Sequence, residues 1–314
     1  MLIYVKTNLF ESPAQVLVNT VNTVGVMGKG IALKFKKMYP DMFKEYQRFC
    51  ETGALSVGKL WLYKSNNKWV LNFPTKKNWR QKSRIEYIEA GLQKFVQTYE
   101  EKKIKSISFP QLGVGNGGLD WDSQVKPLME KYLKKLPIDV YIHLYNQSNN
   151  SPEYKNVREM NKWLDAEPRS ISIHEFKAEL VDNFSSGTFQ EEGHTVTFSE
   201  AALDDSYRDP AVPFLVIEKQ NGESYSLSQA DISEIWTRLR DKGLVSIMEF
   251  PQILHEHDDV IFFEHLVSSL PYIDIIQITW AGHDMTALSL NESMLLSNEN
   301  TIEFNDHKAI IGEV

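Results

Sequence analysis

The stretch Val18-Asn19-Thr20-Val21-Asn22-Thr23-Val24-Gly25-Val26-Met27-Gly28-Lys29-Gly30-Ile31-Ala32 decides the reading of this 314-residue chain. A β-branched run ends in asparagines, crosses a glycine-rich turn and enters a helical pattern. Glycine lets the backbone approach a ligand closely and take positive φ. Backbone N–H groups left free at a helix start, with the helix dipole behind them, favour an anion, ideally a diphosphate. Asn22 carries both a donor and an acceptor, which suits a ribose hydroxyl. Taken alone, a Gly-x-Gly of this kind reads first as a tight strand-to-helix turn.

Two further clusters change that balance. Phe109-Pro110-Gln111-Leu112-Gly113-Val114-Gly115-Asn116-Gly117-Gly118-Leu119-Asp120-Trp121 also follows a strand pattern and precedes a helix. Four of the 16 glycines fall within its six residues 113–118, more than a turn needs, which suggests a loop wrapped around a ligand. Two such loops at one edge of one sheet can grip the two sides of a diphosphate. The third cluster, Asn72-Phe73-Pro74-Thr75-Lys76-Lys77-Asn78-Trp79-Arg80, closes another strand pattern and so faces the same edge. A lysine there can act as base or amine nucleophile when neighbouring cations lower its pKa. Lys77, Trp79 and Arg80 together resemble a stacking and phosphate-contact surface for nucleic acid. The plain alternatives are a solvated basic turn and a core tryptophan.

Around these clusters the first half alternates strand patterns (Leu2–Lys6, Ala14–Asn19, Lys59–Tyr63, Trp69–Phe73, Lys105–Phe109, Ile138–Leu144) with helical ones (Ile31–Met38, Pro40–Thr52, Lys82–Glu101, Asp122–Lys135). Alternation predicts a three-layer α/β domain with a mostly parallel sheet, over residues 1–150. Ligands of such sheets bind outside the carboxyl ends of the strands. A polar stretch, Gln147 to Glu153, marks the boundary. Residues 155–314 read as a smaller α+β domain. Strands are expected at Thr195–Phe198, Val212–Glu218 and a buried Ile273–Thr279. Helices are expected at Ser228–Lys242, capped by Ser226 or Ser228, and at Val260–Leu270.

The net charge of −8 conceals a split. Residues 1–150 hold 23 Lys and Arg against 12 Asp and Glu, a balance of +11; the remainder hold 11 against 30, a balance of −19. The basic half suits a polyanion such as nucleic acid. The acidic half suits a basic protein, the basic half itself, or plain solvent, its acids lying in Gln190–Glu192, Glu200–Asp209 and His255–Asp259. One cysteine, Cys50, excludes an internal disulfide framework and a cysteine-based zinc site, and reads as packing. His255-Glu256-His257 has strand-like spacing and reads as loop or surface rather than as metal ligands. The N-terminus lacks a signal-peptide core, and no apolar run reaches the ~18 residues of a membrane span. The expectation is a cytoplasmic protein with no membrane partner.

The ordered motifs Asn19-Thr20-x-Asn22, Gly25-x-Met27-Gly28-x-Gly30-Ile31-Ala32, Pro74-Thr75-Lys76 and Pro110-x-Leu112-Gly113-x-Gly115 resemble the macrodomain of the DarG-type DNA ADP-ribosyl glycohydrolases. Those proteins are antitoxins of DarT toxins, which attach ADP-ribose to thymine in single-stranded DNA. The resemblance runs from residue 1 to about residue 146. It implies a macrodomain that binds ADP-ribose as ligand and product, needs no cofactor or metal, and cleaves the bond to a thymine base. Single-stranded ADP-ribosylated DNA and a DarT-like transferase are the implied partners. The family's catalytic lysine falls on Lys76, acting at the anomeric carbon of the distal ribose. The phosphate loops fall on Gly28, Lys29, Gly30 and Ile31, and on Gly113, Val114, Gly115, Asn116, Gly117 and Gly118. Asn22 matches the distal-ribose asparagine, and Asn8, Leu9 and Asn19 complete the expected ADP-ribose contacts. Two positions depart from the pattern: Asn8 stands where many macrodomains carry an adenine-binding aspartate. Gly117 stands where a macrodomain that strips ADP-ribose from acidic side chains carries an aspartate partnered with its lysine, and Asp120 lies three residues on. The rival readings are a module that binds ADP-ribose without cleaving it, and a hydrolase acting on ADP-ribosylated protein or on ADP-ribose derivatives.

Overall fold

Alternation along one strand organises the first half. In Val16–Val21, Val16 and Val18 face one hydrophobic layer while Leu17 and Val21 face another. Successive side chains of a strand point to opposite faces, so a strand with apolar residues on both faces must be covered on both. The computed structural model describes residues 1–144, 152–184, 188–191, 193–199, 209–254, 256–280 and 282–291. Its first half runs β1 (Leu2–Val5), β2 (Val16–Val21), α1 (Gly30–Met38), α2 (Pro40–Glu51), β3 (Trp61–Lys64), β4 (Trp69–Pro74), α3 (Ile85–Thr98), β5 (Ser106–Pro110), α4 (Lys126–Leu133) and β6 (Asp139–His143). The sheet order is β1-β6-β5-β2-β4-β3, parallel except for the last pair. Ile88, Leu92 and Phe95 of α3 and Met129 of α4 fill one face. Phe35 of α1 and Met42, Tyr46 and Cys50 of α2 fill the other, so the cysteine is core packing. The expected three layers are there, with element ends shifted by a few residues. The helix expected from Asp122 instead begins as a wide turn over Trp121–Val125.

The second half continues with α5 (Val157–Ala166), α6 (Ile173–Asn183), β7 (Thr188–Glu191), β8 (His194–Phe198), β9 (Pro213–Lys219), β10 (Ser224–Ser228), α7 (Gln229–Lys242), β11 (Leu244–Ser246), α8 (His257–Ser268), β12 (Ile273–Trp280) and β13 (His283–Leu290). Two antiparallel sheets result, β10-β9-β8-β7 and β11-β13-β12, consistent with an α+β region. Ser228 rather than Ser226 caps α7, in a reciprocal pair with Asp231, and Gly243 closes that helix at φ 81°. The strand at 273–279 is a half-exposed edge strand rather than the buried one expected. Most of the boundary stretch, His255 and much of the acidic run 200–209 lie outside the described residues. The division into halves is a division of sequence more than of interior. Val24, Val26 and Trp79 of the first half belong to the same apolar cluster as Phe176, Trp236 and Phe263 of the second.

Candidate functional site

Parallel strands deliver their following loops to one edge, and here β2, β4 and β5 do so side by side. The ends of β2 and β4 are tied by backbone bonds: Thr75 N–H donates to Val21 O at 2.9 Å and Thr23 N–H to Lys77 O at 3.0 Å. Lys76 is thereby held beside the first glycine turn. The second glycine loop closes on itself, Leu119 N–H donating to Gly113 O at 3.0 Å, and is pinned by Ser83 N–H donating to Gly117 O at 3.0 Å. Glycine is obligatory at 117, where a Cβ would lie 2.2 Å from the Gly113 carbonyl. The two loops meet at Gly30, whose Cβ position would be 2.8 Å from the Asn116 amide nitrogen.

Lys76 sits at the centre of this edge and is only 5% exposed. Its ammonium donates to the Asn116 carbonyl at 2.6 Å and faces the Glu153 carboxylate at 3.4 Å. Glu153 also accepts from the Asn116 side-chain amide at 3.4 Å. Burial lowers the Lys76 pKa, opposed by the attraction of Glu153. Burial likewise raises the Glu153 carboxyl, opposed by Lys76 and then Lys29. In both groups desolvation outweighs pairing, so each is biased toward its neutral form. An amine placed here is a candidate proton acceptor or nucleophile. An acid therefore does stand beside the lysine, although Gly117 supplies none. It is the last residue of the boundary stretch, and no motif pointed to it. Asp120 caps the Trp121–Val125 turn, its carboxylate accepting from Ser123 N–H at 2.8 Å.

Several expected contact residues have other work in this arrangement. Asn22 staples its own turn: its amide donates to Val26 O at 2.7 Å, and its oxygen accepts from Val24 and Val26 N–H and from the Tyr46 hydroxyl. Asn19 is wholly buried and donates to Asn72 across β2 and β4 at 3.0 Å, so it lies within the sheet rather than at its rim. Leu9 packs into the α1–α2 layer. Asn8 follows β1 at the same edge and caps a short helical turn by accepting from Phe10 N–H. Ile31, in the first turn of α1, packs against the same layer as Leu9. Val114 is buried within the second loop, whereas Gly115 is exposed and a Cβ there meets nothing within 4 Å.

The expected nucleic-acid surface needs correction at two of its three residues. Trp79 is 0% exposed, inside the apolar cluster shared with the second half, and has no face left for a base to stack on. Arg80 lies over the Trp79 ring and donates to both oxygens of buried Glu175, at 2.8 and 2.6 Å. Lys77 stays exposed. The sequence alone carried no sign of this, because the partner residues lie almost a hundred positions away.

The second half also covers the site from above. Met160 Cε would lie 2.5 Å, and the Trp163 ring 2.9 Å, from a Cβ on Gly28, and the Tyr154 hydroxyl 2.4 Å from one on Gly118. The Tyr154 ring lies under both Lys76 and Lys82, at 5.6 and 5.7 Å. Ion pairs Lys29–Glu159 (3.6 Å) and Lys36–Glu167 (2.5 Å) extend the contact.

Residues 18–127 match the Macro domain family. The chain is 45% identical over 148 residues to the DNA ADP-ribosyl glycohydrolase of Thermus aquaticus, covering 46% of this chain and 41% of that protein. It is 42% identical over 147 residues to the DNA ADP-ribosyl glycohydrolase of Mycobacterium tuberculosis, covering 46% and 42%. Among solved structures it resembles the macrodomain of Thermus aquaticus DarG, with 44% identity, a TM-score of 0.44, and coverage of 46% of this chain and 98% of that one. The chain thus spans under half the length of the curated relatives it matches. The likeness lies in the first half, where the fold is that of a macrodomain, as the motifs implied.

Proposed function

We propose, for a chain whose first half is a macrodomain, that it hydrolyses the bond between ADP-ribose and a thymine base of single-stranded DNA, with Lys76 as the catalytic residue. The observation that carries this reading is a buried lysine at the meeting point of two glycine loops, its pKa lowered by burial, within a region of 147–148 residues that is 42–45% identical to DNA ADP-ribosyl glycohydrolases. In the reaction a water oxygen bonds to the anomeric carbon, the carbon–nitrogen bond breaks, and the base leaves with a proton. The N-terminal amides of α1 and the loop at residues 113–118 suit the diphosphate. Lys76 works at the anomeric carbon, and Lys77 offers the exposed charge for the DNA backbone. A single-stranded target costs no unstacking. ADP-ribose is ligand and product, and no cofactor enters this scheme.

The experiment is release of ADP-ribose from a thymine-ADP-ribosylated oligonucleotide by the full chain and by Lys76→Ala. The expected loss is at least about 10²-fold, the scale of a positioned proton-transfer or nucleophilic group, with ADP-ribose still bound. Full activity in the variant would move the chemistry off Lys76. Release from ADP-ribosylated protein, run beside it, separates the rival substrate, and binding without turnover in the wild type would favour the plain binding module.

We further propose that the acidic second half engages a basic, DarT-like ADP-ribosyltransferase in the cytoplasm, neutralising it beside the enzymatic repair of its DNA product. A Thermosipho africanus relative, 42% identical over 159 residues, is a fusion of DNA ADP-ribosyl transferase and glycohydrolase, which supports pairing the two activities. Among the described residues no helix is long and apolar enough to cross a membrane. Pull-down of the transferase at low salt tests the partnership. Binding that persists unchanged at high salt would argue against an electrostatic one.

A further inference from the structure

The chain's own second half walls off part of the cleft around Lys76 and leaves other parts open. Gly28 lies under Met160 and Trp163, Gly118 under Tyr154, and the Lys76 ammonium is taken by Asn116 and Glu153. Gly30 and Gly115 are exposed with no second-half side chain set against them, and Gly118 keeps an exposed backbone beside Tyr154. The wall also has the charge of the ligand expected there: Glu153 faces Lys76, and Glu159 faces Lys29 of the first glycine turn. On the reading above, the anomeric carbon must come within roughly 3–3.5 Å of the reacting groups, and that carbon carries the DNA. A polymer attached at that carbon needs an exit beside Lys76, and Glu153, Tyr154, Met160 and Trp163 stand in it.

We propose that residues 153–163 form a latch over the Lys76 end of the cleft, which has to lift before a ribose linked to a polymer can reach the lysine. The latch is built to be shallow. Of the ten residues of α5, Met160 and Leu164 are the buried ones, and the Glu159 partner of Lys29 is 62% exposed, where an ion pair contributes little. The Lys76–Glu153 pair is buried at the expense of its own hydration, and the pKa directions of both partners carry that sign. Tyr154 presents its ring to two lysines, a contact that water and a nucleotide phosphate can replace. The chain binds firmly just beyond the latch, where Leu164 enters the shared core and Glu167 meets Lys36. A latch hinged there opens from its Glu153 end.

The inference rests on the hydrolase reading only for the identity of the linked polymer, and its test separates the two. Glu153→Gln, Tyr154→Ala and the double variant are compared with wild type in the full chain, first by the rate at which acetic anhydride acetylates Lys76, read by peptide mass spectrometry. That rate needs no ligand, and it should rise several-fold as the latch loosens. Release from the ADP-ribosylated oligonucleotide should then gain through KM, by about tenfold if the closed form holds about 90% of the population. Glu153→Gln keeps the side-chain shape, so it reports even if Tyr154→Ala folds poorly. Unchanged acetylation overturns the latch. So does slower release with unchanged ADP-ribose affinity, which would make Glu153 a working acid of the reaction. Faster acetylation with no release from any chain, wild type included, keeps the latch and rejects the hydrolase reading.

Discussion

The covered and the open parts of the cleft are built from the same material and do opposite things. At both, a glycine loop leaves a strand of one parallel sheet. At Gly30 and Gly115 the glycines are exposed, and at 115 a side chain would meet nothing within 4 Å. At the Lys76 end Gly28 is pressed under Met160 and Trp163, Trp79 is sealed into a core shared by both halves, and Arg80 is ion-paired to Glu175. A glycine-rich turn therefore says that something approaches the backbone closely. It does not say whether that something is a ligand or another part of the chain.

The sharpest way to break the contrast is at Trp79. Trp79→Ala should cost about 3–5 kcal/mol, the usual range for emptying a buried tryptophan site, and should lower the melting temperature of both halves together. A loss under about 1 kcal/mol would mean that the shared core is not formed in solution.

Behind the same end, burial raises the Glu179 carboxyl to about 8, with Glu175 and Asp165 adding to it and the Tyr272 hydroxyl and Arg80 opposing. A carboxyl whose folded pKa lies above its unfolded value binds its proton more tightly when folded. Its contribution is complete below an ordinary value of 4.5 and is lost as pH rises through about 8. Stability should fall from pH 5 to 7.5 by at most about 1.4 kcal/mol per pH unit from this group, and Glu179→Gln should flatten that slope. Denaturant midpoints at four pH values measure it, and an equal slope in the variant would assign the effect elsewhere.

The open end should hardly register in stability. Gly115→Val is expected to change folding free energy by less than about 0.5 kcal/mol, as for a surface change. The same variant should weaken ADP-ribose at least about tenfold by calorimetry, because the new side chain stands only in the ligand's way. Unchanged affinity would put the diphosphate away from this loop.

The contrast also marks what the sequence could disclose. The six strands and four helices of the first half were legible because β-branched runs and helical spacings are local, and the glycine loops because a positive φ or a close approach demands glycine. Lys76 was legible through its place at a strand end. Trp79 was not: an aromatic beside two basic residues has the same local pattern whether it stacks on bases or fills a core, and the choice was made by Phe176 and Trp236 far along the chain. Glu153 was hidden for the same reason, lying at the end of a polar stretch that reads as a connection. Asn22 was read as a ribose contact because an amide suits a sugar, and Asn19 through the motif resemblance; amides suit turns and buried strand pairs equally well, and here Asn22 bonds its own turn and Asn19 bonds Asn72.

The first glycine turn is clamped from the far half by its carbonyls: Ser172 donates to Val24 O at 2.5 Å, and Gln47 bridges Gly25 O and Ser170 O. A protease that cuts within residues 145–151 would therefore yield two fragments that still travel as one particle. They would part only under denaturant, and the covalent connection between the halves carries little of their association. What a gel after digestion reports as two domains, a sizing column should report as one.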